Sequence, residues 1–183
     1  MSRAGASSDD LQLSKGSWGL QRARQAAARI FASPALIKPL LQTLLSGDRE
    51  LRKRAADTAR RVVERQPELL KPHAEILIGL FSESAKDNWR TRAHLGLVVA
   101  RIAHSRSQRI RAAGLLMPLY YDPSNVVRCT AIEGLGILAR AEAGLRTQFE
   151  AVAEESLATG TLAMKNRAQH GLAGLHARRR FEN

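Results

Sequence analysis

Five histidines, one cysteine and an excess of arginine are the residues of this chain with chemistry to offer. The histidines are His73, His94, His104, His170 and His176. None forms an H-E-x-x-H pair, and no two lie four apart on one helix face, so a helical metal site is not expected. Cys129 is the sole cysteine, which excludes an intrachain disulfide and a cysteine-based zinc site. It follows Arg128, whose charge would favour the thiolate, but no general base stands at a recognisable spacing. Ser14-Lys15-Gly16-Ser17 lacks the upstream glycine of a phosphate loop. No Ser-His-Asp set assembles by motif. The residues therefore predict no catalytic group, no metal and no cofactor.

The charge balance points to a partner instead. Lys and Arg number 29 against 17 Asp and Glu, a formal charge of +12, and arginine outnumbers lysine. Between Asp87 and Asp122 there is no acidic residue, yet Arg90, Arg92, Arg101, Arg106, Arg109 and Arg111 fall there. Earlier in the chain, Lys53 with Asp57 and Arg60 with Glu64 have the i,i+4 spacing that neutralises one helix face. Arg54, Arg61 and Arg65 occupy the adjacent face and are expected to have no acidic partner within the helix. With Arg54, Arg92 and Arg167 recurring at one helical offset, the expected contact surface is Arg54, Arg61, Arg65, Arg92, Arg101, Arg106, Arg109, Arg111 and Arg167. Guanidinium forks suit carboxylates and phosphates. An acidic protein partner is the first expectation and sequence-independent nucleic-acid binding the alternative. The patch lacks interleaved aromatics, which argues against stacking on single strands.

These residues must be positioned by helices. Taking Arg52, Arg90, Arg128 and Lys165 as anchors, apolar residues recur at +3 (Ala55, Ala93, Ala131, Ala168), +7 (Ala59, Leu97, Leu135, Leu172) and +10 (Val62, Ala100, Leu138, Leu175). That is one stripe of an amphipathic helix, repeated at intervals of 38, 38 and 37 residues. Offset +6 holds Thr58, Gly96, Gly134 and Gly171. Glycine inside a helix costs about 1 kcal/mol relative to alanine, so three in register predict close approach of a neighbouring helix. Each anchored helix follows another apolar segment: Pro34 to Leu45, Leu70 to Phe81, Arg109 to Tyr121, and Arg146 to Ala158. Asp122 and Ser46, in the turns, are of the type that caps a following helix. No strand candidate shows sustained alternation.

The unit Asp122-Pro-Ser-Asn-Val-Val-Arg128-Cys-Thr-Ala131-Ile-Glu-Gly-Leu135-Gly resembles the turn and second helix of the HEAT-repeat (armadillo-like) family of α-solenoids. Asn88-Trp89-Arg90-Thr-Arg92 resembles the same junction, with Trp89 at its usual apolar position. The resemblance spans residues 34 to 178. It implies an all-α, right-handed α-solenoid of four HEAT-like helix pairs plus an N-terminal helix. It also implies a hydrogen-bond ladder between turn Asp and helix Arg, fully matched at Asp122 and Arg128 only, because Ser46, Ser84 and Thr159 replace Asp elsewhere. Members serve as scaffolds, transport receptors and DNA-binding proteins, so the resemblance implies a non-catalytic binding scaffold. HEAT-like alkylpurine DNA glycosylases are similarly built and basic, and they use an acid among tryptophans. Asp87 and Trp89 are the nearest such pair here, at a turn.

Hydrophobic residues make up 44% of the 183-residue chain and aromatics only 4%. An Ala- and Leu-based core of this kind suits helix packing. The expected organisation is a disordered tail over 1–13 and one domain over 14–183. Within it lie a helix at about 17–32 and pairs at about 34–66, 70–104, 107–142 and 145–178. Apolar runs are too short for a membrane span and no leader is recognisable. With a lone cysteine, these predict a cytoplasmic protein without a membrane partner.

Overall fold

The computed structural model describes residues 11–14, 16–46, 48–84 and 87–182, with side chains described only to residue 177 and not at 46. The fold is all-α: no strand occurs among these residues. Helix α1 spans Leu20–Ala32. Four pairs follow: α2 (Ile37–Ser46) with α3 (Arg49–Arg65), α4 (Ala74–Glu83) with α5 (Trp89–Ile102), α6 (Arg106–Leu116) with α7 (Asn125–Ala141), and α8 (Arg146–Thr159) with α9 (Leu162–Glu182). No described helix is long and apolar enough to cross a membrane. The expected tail at residues 1–13 lies mostly outside the described residues. Its last part does not behave as a tail, since Leu11 and Leu13 are fully buried.

Each second helix packs on the second helix of the next pair, in the order α3, α5, α7, α9, and α1 packs on α3 at the head of the row. Helix α1 therefore takes the position of a second helix at the head of this row. Each first helix packs on its own second helix, and among the first helices α4 packs on α6. Between pairs the chain turns through short 3-10 segments, several opened by proline: Pro34–Leu36, Pro67–Leu69 and Lys71–His73. Proline suits these first turns because it has no N–H to leave unpaired. The core lies between the first and second helices and consists largely of Ala, Val, Leu and Ile side chains.

The helix starts fix the register. Asp48 caps α3, its carboxylate accepting from Leu51 N at 2.7 Å, and Asn88 caps α5 through Arg90 N at 2.7 Å. Ser124 stands at the same place before α7, and the hydroxyl of Thr161 accepts from Met164 N before α9. The first helical hydrogen bond of each second helix is then donated by a basic residue to its cap: Arg52 to Asp48, Arg92 to Asn88, Arg128 to Ser124 and Lys165 to Thr161. Arg92, not Arg90, is thus the structural counterpart of Arg52 and Arg128, and the caps lie 40, 36 and 37 residues apart. The cap positions expected at Asp122 and Ser46 are occupied by Ser124, whose side chain makes no cap hydrogen bond, and Asp48, whose carboxylate does. Asp122 accepts instead from Ser124 N at 2.8 Å.

This register separates the glycines. Gly134 and Gly171 share the tenth position after their caps, with Thr58 and Val98, whereas Gly96 sits two positions earlier in its helix. All three are nonetheless sites of close approach. A Cβ on Gly134 would lie 2.8 Å from Leu116 Cδ1 of α6, and one on Gly96 3.0 Å from Thr130 Cγ2. Gly171 lets the Phe149 ring of α8 lie against the α9 backbone.

Helix α6 starts earlier than its sequence suggests. Ser105 forms a capping box with Gln108, the hydroxyl accepting from Gln108 N while the Gln108 amide oxygen accepts from Ser105 N. Reciprocal capping satisfies two otherwise orphaned N–H groups, so Arg106 is helical rather than in a loop.

Candidate interaction groove

The arginines expected to form one surface fall into three places, and most have internal partners. At the turns, Arg52 Nη1 meets Asp87 Oδ1 at 3.1 Å, and Arg92 Nη2 meets Asp122 Oδ2 at 2.7 Å. Arg92 Nη1 also donates to the Asp87 carbonyl at 2.6 Å. A polar strap therefore runs from α3 through the two turns, and it continues where Thr161 Oγ1 meets Asn125 Oδ1 at 3.0 Å. The expected Asp122–Arg128 pair does not form. Asp122 is taken by Arg92, and the Arg128 side chain makes no hydrogen bond or ion pair among the described residues. Arg90 is not part of the strap: its guanidinium lies 4.7 Å from the centroid of the Trp89 ring. Trp89 is an exposed first residue of α5, not a core plug.

On and beside the first helices, Arg109 pairs with Glu142 at 3.3 Å and Arg111 with Glu75 at 2.9 Å. Arg106 approaches Glu142 only to 3.8 Å and is 77% exposed. Part of the stretch without acids is therefore neutralised by carboxylates from elsewhere in the fold, Glu142 at the end of α7 and Glu75 on α4. The hydrogen bonds of Gln108 and then Arg111 hold the Glu75 carboxyl below the usual carboxylate range. Near the N-terminal end, Arg54 donates to the Leu13 carbonyl at 2.8 Å and lies over Trp18, and Arg65 lies over Phe31. These two tie α3 to the segment before it.

The third place is a groove on the second-helix row. Three adjoining depressions of about 330, 220 and 180 Å³ are lined by α3, α5, α7, α9 and the start of α1, with no residue from the first helices. Cations Lys53, Arg60, Arg61, Arg90, Arg101, Arg140 and Arg167 line it against two carboxylates, Asp57 and Glu133. Of the expected surface, only Arg61, Arg101 and Arg167 are brought together here. Arg60, Arg90 and Arg140 belong to the groove as well.

Both carboxylates sit nine residues after their caps, and each is shared. Asp57 Oδ1 faces Arg61 at 3.3 Å and His94 Nε2 at 4.0 Å, while its Oδ2 accepts from Trp18 Nε1 at 3.2 Å. The expected Lys53–Asp57 pair is replaced by Lys53 with Glu50, and Arg61 does have an acidic partner within α3. The Arg60–Glu64 pair forms as its spacing predicts, at 2.6 Å. Glu133 takes Arg101 at 3.0 Å and Arg167 at 3.2 Å. Burial, against the attraction of Asp57, lowers the His94 pKa to about 4, with Arg60, Arg61 and Arg90 adding to the shift. His94 is therefore neutral at neutral pH.

The groove holds no nucleophile poised for reaction. Burial raises the Cys129 thiol and outweighs the attraction of Arg167 and Arg128, so the expected thiolate support is not decisive. No group of three metal-ligating side chains occurs among the described residues. Asp87 and Trp89 lie at the turn, outside the groove lining. The acid that touches a tryptophan is Asp57.

No protein-family model matches the chain, and no curated protein matches it closely enough to count as a relative.

The register of the caps could have revealed the groove. Asp48, Asn88, Ser124 and Thr161 as start points place Arg61 and Arg101 at one helical position, thirteen residues on, and Asp57, Glu133 and His170 at another, nine on.

Proposed function

We propose that this chain is a HEAT-like α-solenoid scaffold without catalytic activity that binds an acidic protein segment along the second-helix groove. The single observation that supports the reading most is the charge of that groove, seven cations against two carboxylates. Outside the groove, Arg52, Arg92 and Arg111 are engaged in ion pairs between neighbouring helix pairs, so these three contribute less free charge to a partner. Groove arginines keep donor groups directed at solvent or at no acceptor. A guanidinium fork matches a carboxylate with two parallel hydrogen bonds. The stacked second helices place such forks on successive elements, which suits an extended chain. Repeat scaffolds bind partners on surfaces of this kind because each pair contributes one strip of a continuous face.

The test is affinity capture from nuclease-treated lysate, followed by titration of the recovered partner's acidic segment at rising salt. Affinity should fall with salt, since exposed charges are screened over about 8–10 Å at physiological ionic strength. Loss of all binding on nuclease treatment, with recovery on adding duplex DNA, would replace the protein partner by nucleic acid.

A second reading, removal of alkylated bases from DNA, draws support from one contact only, the hydrogen bond from Trp18 to Asp57 beside cationic side chains. Release of an alkylated base from treated duplex, abolished by Asp57→Asn, would establish it. No release would leave the scaffold reading alone.

A further inference from the structure

We propose that the pocket between Arg101, Arg140 and Arg167 is a subsite for a phosphate monoester carried by the protein segment that binds the groove. The proposal deepens the reading of the groove as a partner surface and rests on it.

Three guanidiniums from successive second helices meet there around one carboxylate. Glu133 Oε1 accepts from Arg101 Nη2 at 3.0 Å, and Glu133 Oε2 faces Arg167 Nη1 at 3.2 Å. Both carboxylate oxygens are then in use. The Arg140 side chain is left with no hydrogen bond or ion pair among the described residues. Arg101 Nη1 is buried and also has no hydrogen-bond partner. These two unused donor sets line a pocket of about 180 Å³ together with His170, Ile137 and Gly171.

The Arg140 side chain packs on the α9 backbone at Gly174, where a Cβ would lie 3.1 Å from Arg140 Cδ, but its charge forms no ion pair there. Burying a cation beside another cation is unfavourable unless an anion compensates. Burial first, and Arg101 second, press the Arg140 pKa downward, and the attraction of Glu133 offsets them only in part. An apolar residue at 140 would avoid both penalties and would orphan no carboxylate. Sixteen residues after the two preceding caps stand Glu64, in α3, and His104, just past the end of α5, neither of them arginine. The excess is local to this end of the groove.

The chemistry of the missing acceptor follows from charge and geometry. Three guanidiniums against one carboxylate leave two positive charges in the pocket. A carboxylate or a phosphodiester supplies one negative charge, whereas a phosphate monoester supplies nearly two at neutral pH and three acceptor oxygens. Planar guanidinium forks approach such oxygens in bidentate pairs. A cationic or apolar ligand would meet the same excess of positive charge with no gain. His170 can add a further donor at the rim.

The test uses the full chain and Arg140→Gln, followed by the arginine Nε–Hε resonances in an NMR titration. With inorganic phosphate as probe, saturable shifts at Arg101 and Arg140 are expected in the wild type, and no saturable shift at Arg101 in the variant. The melting temperature of unliganded Arg140→Gln should not fall below the wild type, because the Arg140 charge makes no ion pair and is disfavoured by burial and by Arg101. A peptide of glutamates with one central phosphoserine should bind at least tenfold tighter than the same peptide with glutamate there, and Arg140→Gln should remove that gain. Absence of a saturable phosphate shift in the wild type overturns the proposal. So does equal affinity for the two peptides, or a phosphodiester oligonucleotide that fills the pocket more tightly than the phosphoserine peptide. Phosphate binding without any binding of the glutamate peptide keeps the subsite and removes the groove reading. The converse keeps the groove and removes the subsite.

Discussion

Arg92 and Asp122 stand 30 residues apart and meet at 2.7 Å across the junction of two helix pairs, both largely buried. Arg52 and Asp87 make the equivalent bridge one pair earlier. Positive charge that reads as a binding stripe in the linear sequence is thus partly consumed in joining each pair to the next.

Removing one end of that bridge should be costly. Arg92→Ala leaves the Asp122 carboxylate with only its backbone donor, and hydrogen bonds to charged groups contribute about 1.5–3 kcal/mol. Arg106→Ala removes an exposed pair worth about 0–1 kcal/mol at most. Urea denaturation of both variants should show a loss for Arg92→Ala and almost none for Arg106→Ala. Equal losses would mean that the turn bridge contributes no more than a surface contact.

First and second helices are also locked by steric fit. Gly134→Leu must displace Leu116, because even a Cβ at 134 would lie 2.8 Å from Leu116 Cδ1. Overpacking of this kind costs about 1–3 kcal/mol. The melting temperature should fall by several degrees, and an unchanged value would show that the α6–α7 contact adapts freely.

The helical class and the pairing of helices were legible in the sequence because apolar stripes recur with the helix period. The phase of the second pair was not. Helix α5 is buried without a break from Leu95 to Ala100, so its apolar pattern does not distinguish one face from another. Arg90 and Arg92, two residues apart, then offered two anchors, and only the Asn88 cap decides between them. The bridges were hidden for a different reason. Partners such as Arg101 and Glu133, separated by 32 residues, are invisible to i,i+4 reasoning and emerge only when charge is compared one helix pair away. Arg140 attracted no notice because its significance is the lack of a partner.

His94 gives the fold a dependence on pH. Its folded pKa, about 4, lies below the ordinary value of 6.5, so the unfolded chain binds more protons between those values. Stability contributed by neutral His94 is complete above pH 6.5 and is lost as pH falls toward 4. A tenfold difference in proton affinity between the two states corresponds to about 1.4 kcal/mol. Denaturation midpoints should fall through this window in the wild type and fall less steeply in His94→Gln. Parallel profiles would show that His94 does not titrate differently in the two states.

Cys129 should be a slow thiol. Burial raises its pKa, so alkylation by iodoacetamide at about pH 7.5, below the ordinary thiol pKa, should be slower in the folded chain than in urea. A faster reaction in the folded state would reveal an activated thiolate and reopen a chemical role for the groove.

The central claim is that the cations of the second-helix groove, and not the arginines beside the first helices, bind the partner. Fluorescence anisotropy with a labelled oligoglutamate peptide tests it most directly, comparing wild type with Arg140→Glu/Arg167→Glu and with Arg106→Glu/Arg111→Glu. The groove variant should lose at least tenfold in affinity, about 1.4 kcal/mol, while the first-helix variant changes less than twofold. Equal weakening by the two variants, or a larger loss from Arg106→Glu/Arg111→Glu, would contradict the assignment.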